Sequence, residues 1–232
     1  MLFYLARIAK LGCELTADER HLLCVASKNA IGARQASWRT ISCIQERVQF
    51  TGLKAHVPTV ALYRSKLEDQ VEKLCRQVLD ILDDLLLANA TSSEAIVFYY
   101  KMKGDCNRYL AEFACGDKRM TAATAAQEAY NHATNIAQSQ LSPIEPIRLR
   151  LALNFAVFHY QTLNSPKCAF EMAAQALDDA ITGLKTVSKE FNRDCIVIMQ
   201  LLKDNLDLWN DSDGPLDRCA EGRKAIRCVR FS

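Results

Sequence analysis

A scarcity of backbone breakers, combined with apolar residues that return every three or four positions, constrains this chain more than any other feature. Only eight glycines and five prolines occur in 232 residues, and strand-like alternation is almost missing. A period near that of the helix with so few interruptions predicts an all-α protein. The interruptions fall at helix-start signals. Thr16 stands three residues before Glu19, a capping-box spacing that predicts a long helix through about Gln49. Pro58 suits a first helical turn, and Leu62, Leu67, Val71, Leu74, Val78, Ile81, Leu82 and Leu85 give the following helix an apolar face. Thr91 and Glu94 repeat the capping spacing before a helix that carries Lys101 and Arg108 and ends at Gly116-Asp117. An alanine-rich helix is expected from about Thr121 to Gln140, Pro143 and Pro146 break the chain, Ser165-Pro166 forms an N-cap and N1 pair, and a last long helix runs from about Ser188 to Trp209. Residues 2–11 are short, interrupted by charge and not followed by a small-residue cleavage site, so they read as helix rather than signal peptide.

Helices of these lengths joined by short loops predict a stacked antiparallel array of about eight to nine helices. No fixed-period repeat is present, which argues against a tetratricopeptide or ankyrin solenoid. The helical domain is expected over 1–210. From Asp211 a breaker sequence leads into Arg218, Arg223, Lys224, Arg227 and Arg230, so 211–232 is a basic tail outside the array.

Half of the residues are hydrophobic and about a quarter charged, which fits one soluble domain with a sizeable core. A net charge of +2 makes no global case for nucleic acid or a membrane surface, so any basic site must be local. The ten cysteines contain no Cys-x-x-Cys pair and mostly sit in helical patterns, where they act as small hydrophobes; they read as reduced, in a cytoplasmic protein. The four histidines show no ligand spacing with them, so neither metal nor cofactor is expected. Without a nucleophile, base and orienting group in a recognisable motif, or a glycine-rich phosphate loop, the chain does not read as an enzyme.

The stretch from Val97 to Glu112 carries the candidate chemistry. Lys101 and Arg108 lie seven residues apart, two turns along one helix face, with the Tyr109 phenol beside the arginine. Fixed cations next to a phenol suit a phosphate or carboxylate, although the same pattern also describes a solvated helix face. Leu153 and Val157, and Ile198, Leu201 and Leu208, place apolar side chains on single faces of two helices, as core or as the wall of a groove. Asn154 and Asn205 lie on those helices, where asparagines are ordinarily surface or capping residues.

Seven segments together resemble the 14-3-3 family over roughly residues 10–209: Ser27–Arg34 (SKNAIGAR), Tyr100–Asp105 (YKMKGD), Arg108–Glu112 (RYLAE), Pro146–Leu149 (PIRL), Leu151–Phe155 (LALNF), Leu163–Pro166 (LNSP) and Ile198–Leu206 (IMQLLKDNL). The resemblance implies a non-enzymatic helical adaptor with an amphipathic groove that binds phosphoserine or phosphothreonine segments of partner proteins, normally as a homodimer. Lys28, Arg108 and Tyr109 match the family's phosphate ligands, with Lys101 nearby. Leu153, Val157, Ile198, Leu201 and Leu208 match the apolar wall, Asn154 and Asn205 the groups that hold the ligand's main chain, and Trp209 the end of the groove. A helical scaffold that binds partners independently of phosphorylation is the alternative.

The chain also departs from that pattern. Gln35 stands where the family has a phosphate-pairing arginine, a loss of charge-assisted bonding worth about 1.5–3 kcal/mol. Gln161 replaces a glutamate facing that arginine, so an opposite-charge pair has become neutral together. Two cations offset the loss: Arg39, one turn beyond Gln35, and Arg150, four residues before Asn154 and in place of a glycine. Arg150 either supplies charge to the ligand or fills space the glycine leaves open. The family's first helix has no counterpart before Met1, which predicts weak dimerisation despite the matching contact positions Tyr63 and Lys66. Ser232, preceded by Arg227 and Arg230, reads either as a phosphorylatable ligand for the chain's own groove or as the end of a disordered basic tail.

Overall fold

The computed structural model describes residues 7–8, 10, 12–50, 56–186 and 193–210. Most of the helix expected over 2–11, the start of the last helix at Ser188, and the basic tail with Ser232 lie outside the described residues. Among the described residues the chain forms seven α-helices, one π-helical turn and no strand. In chain order these are α1 (Ala17–Phe50), α2 (Val57–Ile81), the π turn (Leu82–Leu86), α3 (Ser93–Phe113), α4 (Gly116–Gln140), α5 (Pro146–Gln161), α6 (Pro166–Thr186) and α7 (Arg193–Asn210). Among the described residues the array is all-α as expected, with seven helices against the eight to nine expected for the chain.

The capping box at Thr16 forms in both directions: the Thr16 N–H donates to Glu19 Oε2 at 2.8 Å and the Glu19 N–H to Thr16 Oγ1 at 3.3 Å. It satisfies two of the donors that every helix N-terminus leaves open. The start of α3 differs by one residue from the expected Thr91 signal, since Ser92 Oγ accepts the Ala95 N–H at 3.3 Å and serves as cap. The fourth helix begins at Gly116 instead of Thr121. Gly116 has φ +56°, a left-handed conformation that redirects the chain after a link of two residues, so the glycine expected to end one helix opens the next.

Two compact units divide the chain: residues 1–89 with 113–115, and residues 90–112 with 116–232. In the first, α1 and α2 run antiparallel, pinned by Trp38 Nε1 donating to Glu68 Oε1 at 2.8 Å and Arg34 Nε to Gln70 Oε1 at 3.1 Å. The buried face of α2 runs through Leu67, Val71, Cys75 and Val78 and continues through Leu82 and Leu86 of the π turn. Leu62, expected on this face, is 74% exposed. It lies five residues before Leu67, about 140° around the helix from it.

In the second unit α5 is apolar nearly all round, as a helix enclosed on several sides must be. One side, with Leu149, Leu153, Ala156 and Val157, packs with Ala169, Ala173 and Ala180 of α6 and with Cys195, Ile198, Leu202 and Trp209 of α7. The other, with Ile147, Leu151, Phe155 and Phe158, packs with Val97 of α3 and with Ala126, Tyr130, Ala133 and Ala137 of α4. Arg150 of α5 meets Asp194 at the start of α7, and Tyr160 of α5 stacks on Trp209 at its end, so α5 and α7 run parallel.

Candidate anion-binding cluster and peptide strip

Inside the second unit the residues of α3 converge on one carboxylate. Lys101, Asp105 and Arg108 are 4%, 4% and 5% exposed. Asp105 is four residues after Lys101 and three before Arg108, the spacings that bring helical side chains together. Lys101 Nζ donates to Asp105 Oδ2 at 2.8 Å, and Arg108 Nη2 lies 4.0 Å from Oδ1. The other elements supply neutral donors to the same carboxylate: Tyr130 Oη of α4 donates to Oδ1 at 2.6 Å and Asn154 Nδ2 of α5 to Oδ1 at 2.8 Å.

Tyr130 reaches Asp105 because its neighbour is Gly104. A Cβ at Gly104 would come within 2.6 Å of the Tyr130 ring, so only glycine leaves room for the α4 aromatic to lie against α3. Burial, aided by the charge of Asp105, pushes the Tyr130 phenol well above its usual range, and it stays protonated as a donor. For Arg108 burial opposes the charge, but Tyr130, Tyr109 and Asp105 outweigh it and the guanidinium is held cationic. Its Cζ lies 4.5 Å from the centre of the Tyr109 ring, a cation–π distance. Arg108 Nε is buried and donates to no group among the described residues.

Two buried cations therefore share one carboxylate in this cluster, and the arginine keeps a donor in reserve. Such a balance favours an arriving anion, because burial strengthens charge interactions. Asp105 and Tyr130 were not singled out in the sequence. The i, i+4 spacing of Lys101 with Asp105 and a glycine inside a helical pattern were the signals there to find.

The candidates on α5 and α7 form a strip along the parallel pair. Leu153, Val157 and Ile198 are buried in the shared core, while Leu201 and Leu208 pack against it half-buried. Asn154 and Asn205 are buried, and Gln161, the last residue of α5, is exposed. Trp209 stacks on Tyr160 with ring centres 4.9 Å apart and planes 13° apart, and its buried indole Nε1 has no hydrogen-bond partner among the described residues. Arg150 pairs with Asp194 at 3.2 Å. Lys28, Gln35 and Arg39 belong to the first unit, where their spacing of seven and four residues puts them on one face of α1; Gln35 is buried and the two cations are half-buried.

Residues 1–210 match the sequence model for 14-3-3 proteins. The chain belongs to the 14-3-3 family. It is 51% identical over 206 residues to the 14-3-3 family protein artA of Aspergillus flavus, covering 89% of this chain and 87% of that protein. It is 49% identical over 209 residues to a 14-3-3 protein homolog of Candida albicans, covering 90% and 79%. Against the checkpoint signal transducer rad24 of Schizosaccharomyces pombe it is 49% identical over 215 residues, covering 93% and 79%. Membership supports an adaptor or scaffold role in which this 14-3-3 chain binds partner proteins. Among the described residues no helix is long and apolar enough to cross a membrane.

Proposed function

We propose that this 14-3-3 chain is a non-enzymatic, cytoplasmic adaptor that binds phosphoserine- or phosphothreonine-containing segments of partner proteins. The observation that carries the reading is Arg108: a buried guanidinium with an unpartnered Nε, in a cluster where Asp105 is shared with Lys101. A dianionic phosphate uses that donor and balances the second cation, and charge-assisted bonds of this kind are about twice as strong as neutral ones. Tyr109, beneath the guanidinium, supplies a phenol to the same anion. Lys28 contributes as a further cation by family correspondence, and Gln35 and Arg39 tune the charge on its helix. Asn154 and Asn205 hold the ligand's main chain, Leu201 and Leu208 offer it apolar surface, and the Trp209 indole N–H is a donor at the end of the strip.

Titration of a phosphoserine peptide and its unphosphorylated twin against the full chain tests the proposal. The phosphorylated form should bind at least tenfold more tightly, and Arg108→Ala should remove most of that difference, roughly ten- to hundredfold. The variant should stay folded, because Lys101 and Asp105 remain as a matched pair. Arg108→Ala with unchanged binding would show the site to be wrong. Equal binding of both peptides would favour the phosphorylation-independent scaffold.

A further inference from the structure

The Arg150–Asp194 ion pair lies on the strip and differs in character from the polar contacts around it. Arg150 stands three residues before Leu153 and four before Asn154, and so on the same face of α5. Asp194 stands four residues before Ile198 on α7, whose side chain is buried in the same core cluster as Leu153. The pair bridges these two faces at 3.2 Å, with the arginine side chain 35% and the aspartate 61% exposed.

Its neighbour Arg148 is engaged differently. That side chain donates to the Leu141 carbonyl at 2.8 Å and pairs with Asp179 at 3.4 Å, and it is 17% exposed. Among the described residues Arg150 makes one hydrogen bond, from Nη2 to Asp194, out of the five N–H donors a guanidinium carries. Asp194 does not depend on it either. It occupies the first turn of α7, where the helix N-terminus stabilises a carboxylate. Half-exposed pairs of this kind contribute little to folding, so the arginine can change partners at small cost.

We propose that Arg150 selects bound segments that carry an acidic side chain near the phosphorylated residue, by exchanging Asp194 for the carboxylate of the ligand. The proposal rests on the phosphate-binding reading above and names the partner class more narrowly. Its range follows from helix geometry. Arg150 lies about 6 Å along α5 from Asn154. The Asn154 amide meets the carboxylate oxygen that Arg108 approaches at 4.0 Å. With the reach of an arginine side chain added, an extended segment, rising about 3.3 Å per residue, presents the acid about two to four residues from its phosphate. The planar fork of the guanidinium matches a carboxylate with two parallel bonds, which a lysine would not reproduce.

The test uses the full chain and a set of phosphoserine peptides in which glutamate or glutamine is placed in turn at each of the four positions on either side. At one position glutamate should tighten binding about threefold to tenfold over glutamine. Arg150→Gln should reduce that ratio to about one, whatever it does to the affinity of the all-glutamine peptide. Asp194→Asn should raise the ratio, because the competing carboxylate is gone, whereas a purely structural ion pair would make both variants lose stability with no change in preference. No glutamate preference at any position, or a preference that survives Arg150→Gln, overturns the inference while phosphorylation-dependent binding stands. If no phosphopeptide binds more tightly than its unphosphorylated twin, the underlying reading falls and this one with it.

Discussion

Asn154 donates its side-chain N–H to Asp105 at 2.8 Å, joining α5 to α3 through two residues that are each 4% exposed. Because the NH₂ end of the amide is held by a carboxylate, its oxygen is the end left to accept a hydrogen bond, and the orientation of Asn154 follows from the network. With Lys101 and Tyr130 on the same carboxylate, one acidic side chain connects three helices of the second unit.

Replacement of Asp105 by asparagine should therefore be costly for folding. It leaves Lys101 and Arg108 buried together without their shared counter-charge, and breaking a buried pair in this way costs about 3–5 kcal/mol. Urea unfolding checks the value. Combining Asp105→Asn with Lys101→Met should recover at least about 1 kcal/mol of the loss, since one of the stranded cations goes with it. Additive losses would mean that the two residues are not coupled.

Gly104→Ala tests the close approach of Tyr130. The added methyl would stand 2.6 Å from the Tyr130 ring, so ring or helix must move, at about 1–3 kcal/mol for an overpacked core. In a Tyr130→Ala background the same substitution should be far better tolerated, which thermal melts of the four variants will register. An equal penalty in both backgrounds would place the strain elsewhere.

The pH dependence of stability should carry a contribution from His159. Its ring packs 4.8 Å from that of Phe155, and burial lowers its pKa from the usual 6.5. A base whose pKa is lower when folded binds more protons unfolded, so its contribution is fully present above the unfolded pKa and is lost as pH falls toward the folded one. Stability should decline as pH is lowered below about 6.5, and His159→Gln should flatten that part of the profile. Urea midpoints collected from neutral to mildly acid pH measure the slope, and an unchanged slope in the variant excludes this histidine as its source.

Thr16 should control the titration of Glu19. The Thr16 backbone N–H, and after it the Thr16 hydroxyl, hold the Glu19 carboxylate below its usual 4.5. Thr16→Ala removes the hydroxyl partner and should move the pKa part of the way back, with fraying of the first turn of α1. Carbon-detected NMR of the Glu19 side chain during an acid titration gives both values.

The helical periods, the proline and glycine punctuation and the capping residues were sufficient to place the helices, because these signals act within a few residues along the chain. They located α1 to within one residue at each end, along with the proline start of α6. Helix spacing also singled out Lys101 and Arg108 as candidates, and the family resemblance added Asn154 and Trp209. The errors came where a residue's partner was distant in sequence. Periodicity could not show that Leu62 faces outward, because the register of the α2 face is set by packing.

The partners that buried charges find on other helices were equally invisible along the chain. Lys101 and Arg108 meet Asp105 within α3, at spacings the sequence carries, but that Tyr130 reaches this carboxylate past a missing Cβ and that Arg150 pairs with Asp194 depend on contacts between helices. Sequence alone determined the helices and a family pattern of residues, because local conformational preferences and ordered motifs are written in neighbouring positions. Tertiary structure decided which charges are buried, which are paired and which keep a donor unused, because those outcomes depend on desolvation and on groups that folding alone brings together.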